Sequence, residues 1–182
     1  MNQGLIPNRY AKALFKFACE KGEADRVYDL MKTLVASFVE QPRLQAVIAN
    51  PYISADDKIR LLRTAAHADE KKDTCFDDFL RLLLQNRRIE FAREIALAYL
   101  DIYREANNIY LVKLTTAAEL PEEEIKRLHD LVERHLNGAT MEFSKIVDPG
   151  LIGGFVIDIN SERLDASVSN ELKQLRLKLL SN

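Results

Sequence analysis

Cysteine is scarce in this 182-residue chain, which carries Cys19 and Cys75 and no others. Two thiols cannot build a disulfide framework, and they point to a reducing, intracellular setting. Histidine is almost as sparse, with three residues. His129 and His135 fall on different faces of any helix and His67 has no cysteine near it in sequence, so the spacing suggests no metal site. Neither sign of charge dominates, since 26 Lys and Arg face 28 Asp and Glu for a net charge of -2. That balance removes the polybasic surface on which nonspecific binding of nucleic acid or anionic lipid depends. Long apolar runs are missing too. The longest, 95–100, is closed by Glu94 and Asp101, far short of the roughly 20 residues that a spanning helix needs. Residues 1–7 show neither a basic region ahead of an apolar run nor an Arg- and Ser-rich pattern, so neither a secretory nor an organellar leader is expected.

What is present is ordinary material for a packed core, 47% hydrophobic and 30% charged residues, which argues against disorder. From 8 to 105 the pattern is helical, broken by Gly22, Pro42 and Pro51. Segments 8–21, 23–40, 43–49, 54–67, 74–86 and 88–106 predict six helices, and their short connections predict a compact bundle. Ser54, three residues ahead of Asp57, forms an approximate capping box at the fourth.

After Asn107-Asn108 the periodicity changes. Residues 109–117 (IYLVKLTTA) are β-branched and apolar and read as a strand. Pro121 followed by Glu122, Glu123 and Glu124 opens an amphipathic helix that closes at Asn137-Gly138. Residues 140–147 and 155–159 read as strands, and Leu164, Ala166 and Val168 alternate in a further short one. The stretch 170–180 places Leu172, Leu175, Leu179 and Leu180 on a helical stripe. The fold class is therefore mostly α, an N-terminal six-helix bundle (1–107) followed by a small α+β C-terminal domain (108–182). Basic and acidic residues number 17 and 16 through Asn108, then 9 and 12, so neither part is a charged tail.

Catalytic chemistry finds little support. The cysteines lie on apolar helical segments without an evident activating base and read as buried small residues. Asp56-Asp57, Asp77-Asp78 and Glu122 to Glu124 sit at helix starts, where carboxylates are stabilised anyway. The glycine-rich turn at 148–154 runs into a strand rather than a helix N-terminus, so a bend or close backbone approach explains it better than a phosphate cradle.

Apolar surface is in excess. On a helical wheel Arg9, Lys12, Lys16 and Glu20 share one wedge, which leaves the first helix an apolar arc of about 240°. A surface helix needs little more than about 100°. In the fifth segment Phe76, Phe79, Leu80 and Leu83 form a stripe that Leu82 and Leu84 widen on both sides. Either these helices are central in the bundle or they receive a partner helix.

These motifs together resemble the delta subunit of F-type ATP synthases, the family of the mitochondrial oligomycin-sensitivity-conferring protein. The resemblance rests on Arg9-Tyr10-Ala11-Lys12-Ala13-Leu14-Phe15 with Ala18, and on the stretch DPGLIGGFVIDINSERLDASVSNELKQL. Within that stretch Asp148, Gly153, Gly154, Phe155, Asp165 and Ser167 carry the signature. Asn50-Pro51, the segment 58–62 and Asn86-Arg87-Arg88 fall in the matching order. Two departures are Pro7-Asn8, where small apolar residues are usual, and Asn160-Ser161-Glu162-Arg163, which lacks a frequent glycine.

The resemblance implies a stator subunit with no catalytic residues and no cofactor. In it the helical domain would hold the alpha-subunit N-terminal helix in a groove between helices one and five. Carried onto this chain, the groove candidates are Tyr10, Ala11, Leu14, Phe15, Ala18, Phe76, Phe79, Leu80 and Leu83, with Phe15→Asp as an expected disruptor. The C-terminal domain would engage the C-terminal region of the peripheral-stalk b subunits, so that proton flow drives ATP synthesis rather than idle rotation. The implied location is peripheral, on the cytoplasmic face of a bacterial inner membrane. The rival readings are a generic helical adaptor outside ATP synthase and, from the 148–154 turn, a small phosphate-using enzyme.

Overall fold

Helix starts and stops coincide with the caps and breakers in the sequence. The computed structural model describes residues 5–69, 71–160 and 162–180, apart from the side chains of 175, 176 and 178–180. The chain divides into two compact units, Met1–Ala106 and Asn107–Asn182.

The first unit holds α1 (Leu5–Lys21), α2 (Ala24–Glu40), α3 (Arg43–Ala49), α4 (Ala55–Ala66), α5 (Thr74–Gln85), a 3₁₀ turn (Ile89–Phe91) and α6 (Ala92–Ala106). Gly22, with φ +71°, turns the chain from α1 into α2. Ser54 caps α4 by accepting the Asp57 N–H at 3.2 Å, while its hydroxyl donates to the Asp57 carboxylate at 2.6 Å. Helix α1 begins at Leu5, earlier than the expected residue 8, because a proline in the first turn removes no helical hydrogen bond. Pro7 is buried there.

Helix α6 packs along both α1 and α2, and α2 along α4. Leu30, Met31, Leu34, Phe76, Leu80, Leu83, Ile95 and Tyr99 form the centre, all at 2% exposure or less. An aromatic ladder continues it: Tyr28 stacks on Tyr103 at 4.1 Å, and the Tyr103 hydroxyl donates to Asp25 at 2.7 Å. Burial, then that hydrogen bond, push the Tyr103 phenol up to about 12.

Two carboxylates tie the bundle together from inside. Asp77 is buried and accepts Nε of Arg63 at 2.9 Å and its Nη2 at 2.5 Å. Asp73, also buried, accepts Arg26 Nε at 2.7 Å and Nη2 at 2.9 Å, which holds its carboxyl below the ordinary 3.8. Asp77 is thus more than a solvated helix start.

The second unit is a four-stranded sheet of order β2-β1-β3-β4 with two helices: β1 (Tyr110–Thr116), α7 (Glu122–His135), β2 (Met141–Val147), β3 (Gly154–Ile159), β4 (Glu162–Ser167) and α8 (Val168–Leu180). Strands β1 and β2 run parallel across the α7 crossover, while β3 is antiparallel to both β1 and β4. One sheet face and α7 enclose Val112, Leu114, Val132 and Ile157, with Phe143, Phe155 and Ile159 against them. Val168, expected as the end of a strand, instead opens α8, because Ser167 caps the helix there. Of the expected leucine stripe on α8, Leu172 is exposed and the side chains of Leu175, Leu179 and Leu180 lie outside the described residues. At the β3–β4 turn Asn160 adopts φ +50° without needing glycine, and its side chain accepts the Leu111 N–H at 2.9 Å.

Asp77→Ala removes the two-point carboxylate acceptor of Arg63 inside the bundle, and a loss of about 3 kcal/mol in unfolding free energy is expected. Urea titration followed by helical circular dichroism reads it; a loss below about 1 kcal/mol would show that water replaces the carboxylate.

Candidate functional site

Helix α1 uses one line of residues for the core and leaves another open. Ala11, Leu14 and Ala18 are buried, as are Phe76, Phe79, Leu80 and Leu83 of α5. Seven of the nine residues singled out for a groove therefore face the bundle interior. Phe15 is half-buried and sits edge-on to Tyr99 at 6.0 Å and Tyr103 at 6.3 Å, in the seam between α1 and α6. Substitution there would unpack that seam whether or not a partner binds. Tyr10 alone among the nine combines partial exposure with a position between α1 and α5.

The open line on α1 is Ile6, Tyr10, Ala13 and Phe17, spaced four, three and four residues apart and all half-buried or exposed. Helical periodicity puts them on one stripe beside the buried one. Across from it Leu82 of α5 is 43% exposed. Ile6, Tyr10, Ala13 and Leu82, with Arg9 and Arg88, line an open hollow of about 470 Å³. Its signal in the sequence was the width of the apolar arcs, with Leu82 on the flank of its stripe.

A second apolar hollow, about 340 Å³, lies in the second unit between α7 and the edge strand β4. Leu131, Val132, Ile157, Ile159 and Leu164 form its floor and walls, and His135, Glu162 and Arg163 its rim. Leu131 and Leu164 are each 57% exposed. Arg163 is paired with Asp158, Nε donating to Oδ1 at 2.6 Å.

The 148–154 signature is a backbone device. Asp148 accepts the Gly150 N–H at 2.9 Å and closes the turn. Gly153 and Gly154 take φ +123° and +77°. A Cβ on Gly154 would run into the carbonyl oxygen of Ala166 on the paired strand, so close approach requires glycine. Phe155 then drops into the core of this unit. At the other end Asp165 accepts the Ser167 N–H at 3.0 Å, and buried Ser167 accepts the Asn170 N–H at 3.2 Å, ending β4 and starting α8. Hydrogen bonding from Ser167 holds the Asp165 carboxyl below its ordinary value.

The remaining reactive groups behave as scaffold. Cys75 is buried and its thiol is pushed up to about 11 by burial, whereas Cys19 is exposed, contrary to expectation, because it falls outside the buried line of α1. His67 closes α4 with φ 54°. His129, Asp130 and Glu133 bring possible ligand atoms within 4.8 Å of one another, a grouping that the sequence spacing did not suggest. All three lie on one helix, with Glu133 exposed.

The family model described as ATP synthase delta (OSCP) subunit matches residues 6–179. The ATP synthase subunit delta of Bacteroides thetaiotaomicron is 39% identical over 180 residues, 99% of this chain and 96% of that protein. That of Parabacteroides distasonis is 38% identical, covering 100% and 99%, and that of Prochlorococcus marinus 32%, covering 96% and 94%. Among solved structures, a chain of the Toxoplasma gondii mitochondrial ATP synthase hexamer, determined by cryo-EM, superposes with a TM-score of 0.76 at 21% identity, over 96% of this chain and 97% of that one. At that identity the likeness speaks for the fold.

Gly154→Ala combines a forbidden backbone angle with a clash against β4, and a destabilisation of about 2–4 kcal/mol is expected. Hydrogen exchange checks it: protection in β3 and β4 should fall while that in α1–α6 is kept, and unchanged β3–β4 protection would show the strand pair can relax around a methyl group.

Proposed function

The chain belongs to the ATP synthase delta (OSCP) subunit family, and we infer that its two apolar hollows are the two ends of a mechanical link. As a member it is a structural, non-catalytic subunit of ATP synthase with a stator role, associated with the membrane through the complex. No described helix is long and apolar enough to cross a membrane. Family membership also sets aside the generic adaptor and the phosphate-using enzyme.

In this reading the α1–α5 hollow receives the N-terminal helix of an alpha subunit at the catalytic head. The α7–β4 hollow receives the C-terminal region of the b subunits of the peripheral stalk. The bacterial relatives favour the cytoplasmic face of a bacterial inner membrane as the place of work. The observation that carries the reading is the apolar stripe Ile6, Tyr10, Ala13, Phe17, which the bundle leaves partly exposed although it packs the adjacent stripe fully. An amphipathic helix laid on it would bury several large side chains, each contributing roughly 1.5–3 kcal/mol. Persistent binding of that kind suits a part that resists torque and turns nothing over. Two anchor points on one chain raise the effective concentration of each contact.

The test separates the two ends. Leu82→Glu should lower affinity for a peptide of the alpha-subunit N-terminus by roughly 30-fold, as expected for losing one buried leucine, with binding to b subunits retained. Leu164→Glu should do the reverse. Calorimetry with the peptide and co-purification with b subunits read the two outcomes. Full peptide affinity in a folded Leu82→Glu chain would remove the α1–α5 hollow from the interface, and retained b-subunit binding in Leu164→Glu would remove the α7–β4 hollow.

A further inference from the structure

The α1–α5 hollow is apolar on its floor but carries two cations on its edge, Arg9 from α1 and Arg88 from the start of the 3₁₀ turn. Among the described residues no acidic one lines it. Elsewhere in the bundle arginines that meet buried groups are matched: Arg63 with Asp77, and the half-exposed Arg26 with buried Asp73. Among the described residues the guanidinium groups of Arg9 and Arg88 make no ion pair or side-chain hydrogen bond. Arg88 is already half-buried, and its backbone is fixed by donating to the Leu83 carbonyl at 2.7 Å, just past the C-terminal end of α5. The negative end of a helix favours a cation there.

We propose that Arg9 and Arg88 together bind a carboxylate on the incoming helix, so that the hollow selects an acidic amphipathic helix over a neutral or basic one. This rests on the docking reading above and adds its charge rule. A helix seated on Ile6, Tyr10, Ala13 and Leu82 covers both guanidinium groups and strips water from them. Without an acceptor that leaves two unpaired cations in a closed interface, a large penalty. A Glu or Asp flanking the apolar stripe removes the penalty, and the guanidinium fork offers two parallel N–H donors to its oxygens. A lysine or arginine in the same place adds repulsion, and that supplies the discrimination.

The probes are two synthetic peptides of the N-terminus of the alpha subunit from the same organism: the native sequence, and one with every Asp and Glu replaced by Asn and Gln. Each is titrated against the full chain and against the Arg9→Gln/Arg88→Gln double variant by fluorescence anisotropy. The wild-type chain should bind the native peptide about 10-fold more tightly than the neutral one, a ratio typical of a charge-assisted hydrogen bond. The double variant should bind both alike, and added salt should weaken only the native pair. Equal affinity of the wild-type chain for both peptides overturns the proposal, as does a folded double variant that still discriminates. Failure of both peptides to bind the wild-type chain overturns the docking reading itself, which keeps the two failures distinct.

Discussion

A helix in a bundle can bury only the part of its circumference that its neighbours reach, and α1 has more apolar circumference than this bundle can cover. Ala11, Leu14 and Ala18 go inward with Phe15 against the tyrosines of α6. Ile6, Tyr10 and Phe17 remain half-buried and Ala13 exposed. A monomer has no use for that arrangement, since exposed apolar area contributes nothing to its own stability and favours association. The core does not need the second stripe either, because Leu30, Met31, Phe76, Leu80 and Tyr99 close it without help. In the proposed reading, the surplus on α1 is the surface that receives another helix.

In the proposed reading the α1–α5 surface must keep its shape under load, and the ion pairs of the buried carboxylates Asp73 and Asp77 bear on that. Asp77 sits on α5, the helix that supplies Leu82, and its partner Arg63 sits on α4. Asp73, at the N-terminal edge of α5, is held by Arg26 of α2. Fork-shaped, two-point pairing fixes orientation as well as distance, so α5 is locked in rotation at the end opposite Arg88. Hydrophobic packing alone tolerates small rotations of a helix; a buried guanidinium–carboxylate pair does not. In the second unit the same demand falls on the backbone, where Gly154 lets β3 and β4 close and Ser167 turns β4 directly into α8.

Much of this was legible in the sequence, and the failures have a common cause. Helix limits followed from Pro42, Ser54, Gly22 and the Pro121-Glu122 start because caps and breakers act locally. The close approach at Gly153-Gly154 was readable for the same reason. The division of apolar residues between core and groove was not, because a helical wheel ranks positions by hydropathy and is blind to where the neighbouring helices lie. The strongest stripes, Ala11-Leu14-Ala18 and Phe76-Phe79-Leu80-Leu83, went to the core, since the densest apolar line is the one most stabilised by burial. The open surface came from the flanks, Ala13 and Leu82. Cys19 was misread as buried for the same reason, and the role of Asp77 was hidden because its partner Arg63 lies across a helix boundary.

Division into two separately packed units has a mechanical consequence of its own. Each hollow is open and rimmed by charge, and in the proposed reading each contact taken alone dissociates on its own timescale. If both hollows hold partners as proposed, one contact keeps the chain in place when the other releases, and rebinding becomes an intramolecular event governed by local concentration rather than by supply from solution. The residence time of the link then exceeds that of either contact, without either needing a large interface. Charge at the rims adds selection to persistence. A rim pair that goes unmatched is costly only once water is excluded, so under the proposed charge rule a wrong helix is rejected at the moment of close docking while the correct one is held. A link of this kind can be assembled reversibly and still carry a sustained twist, which a single deep site could do only by giving up exchange.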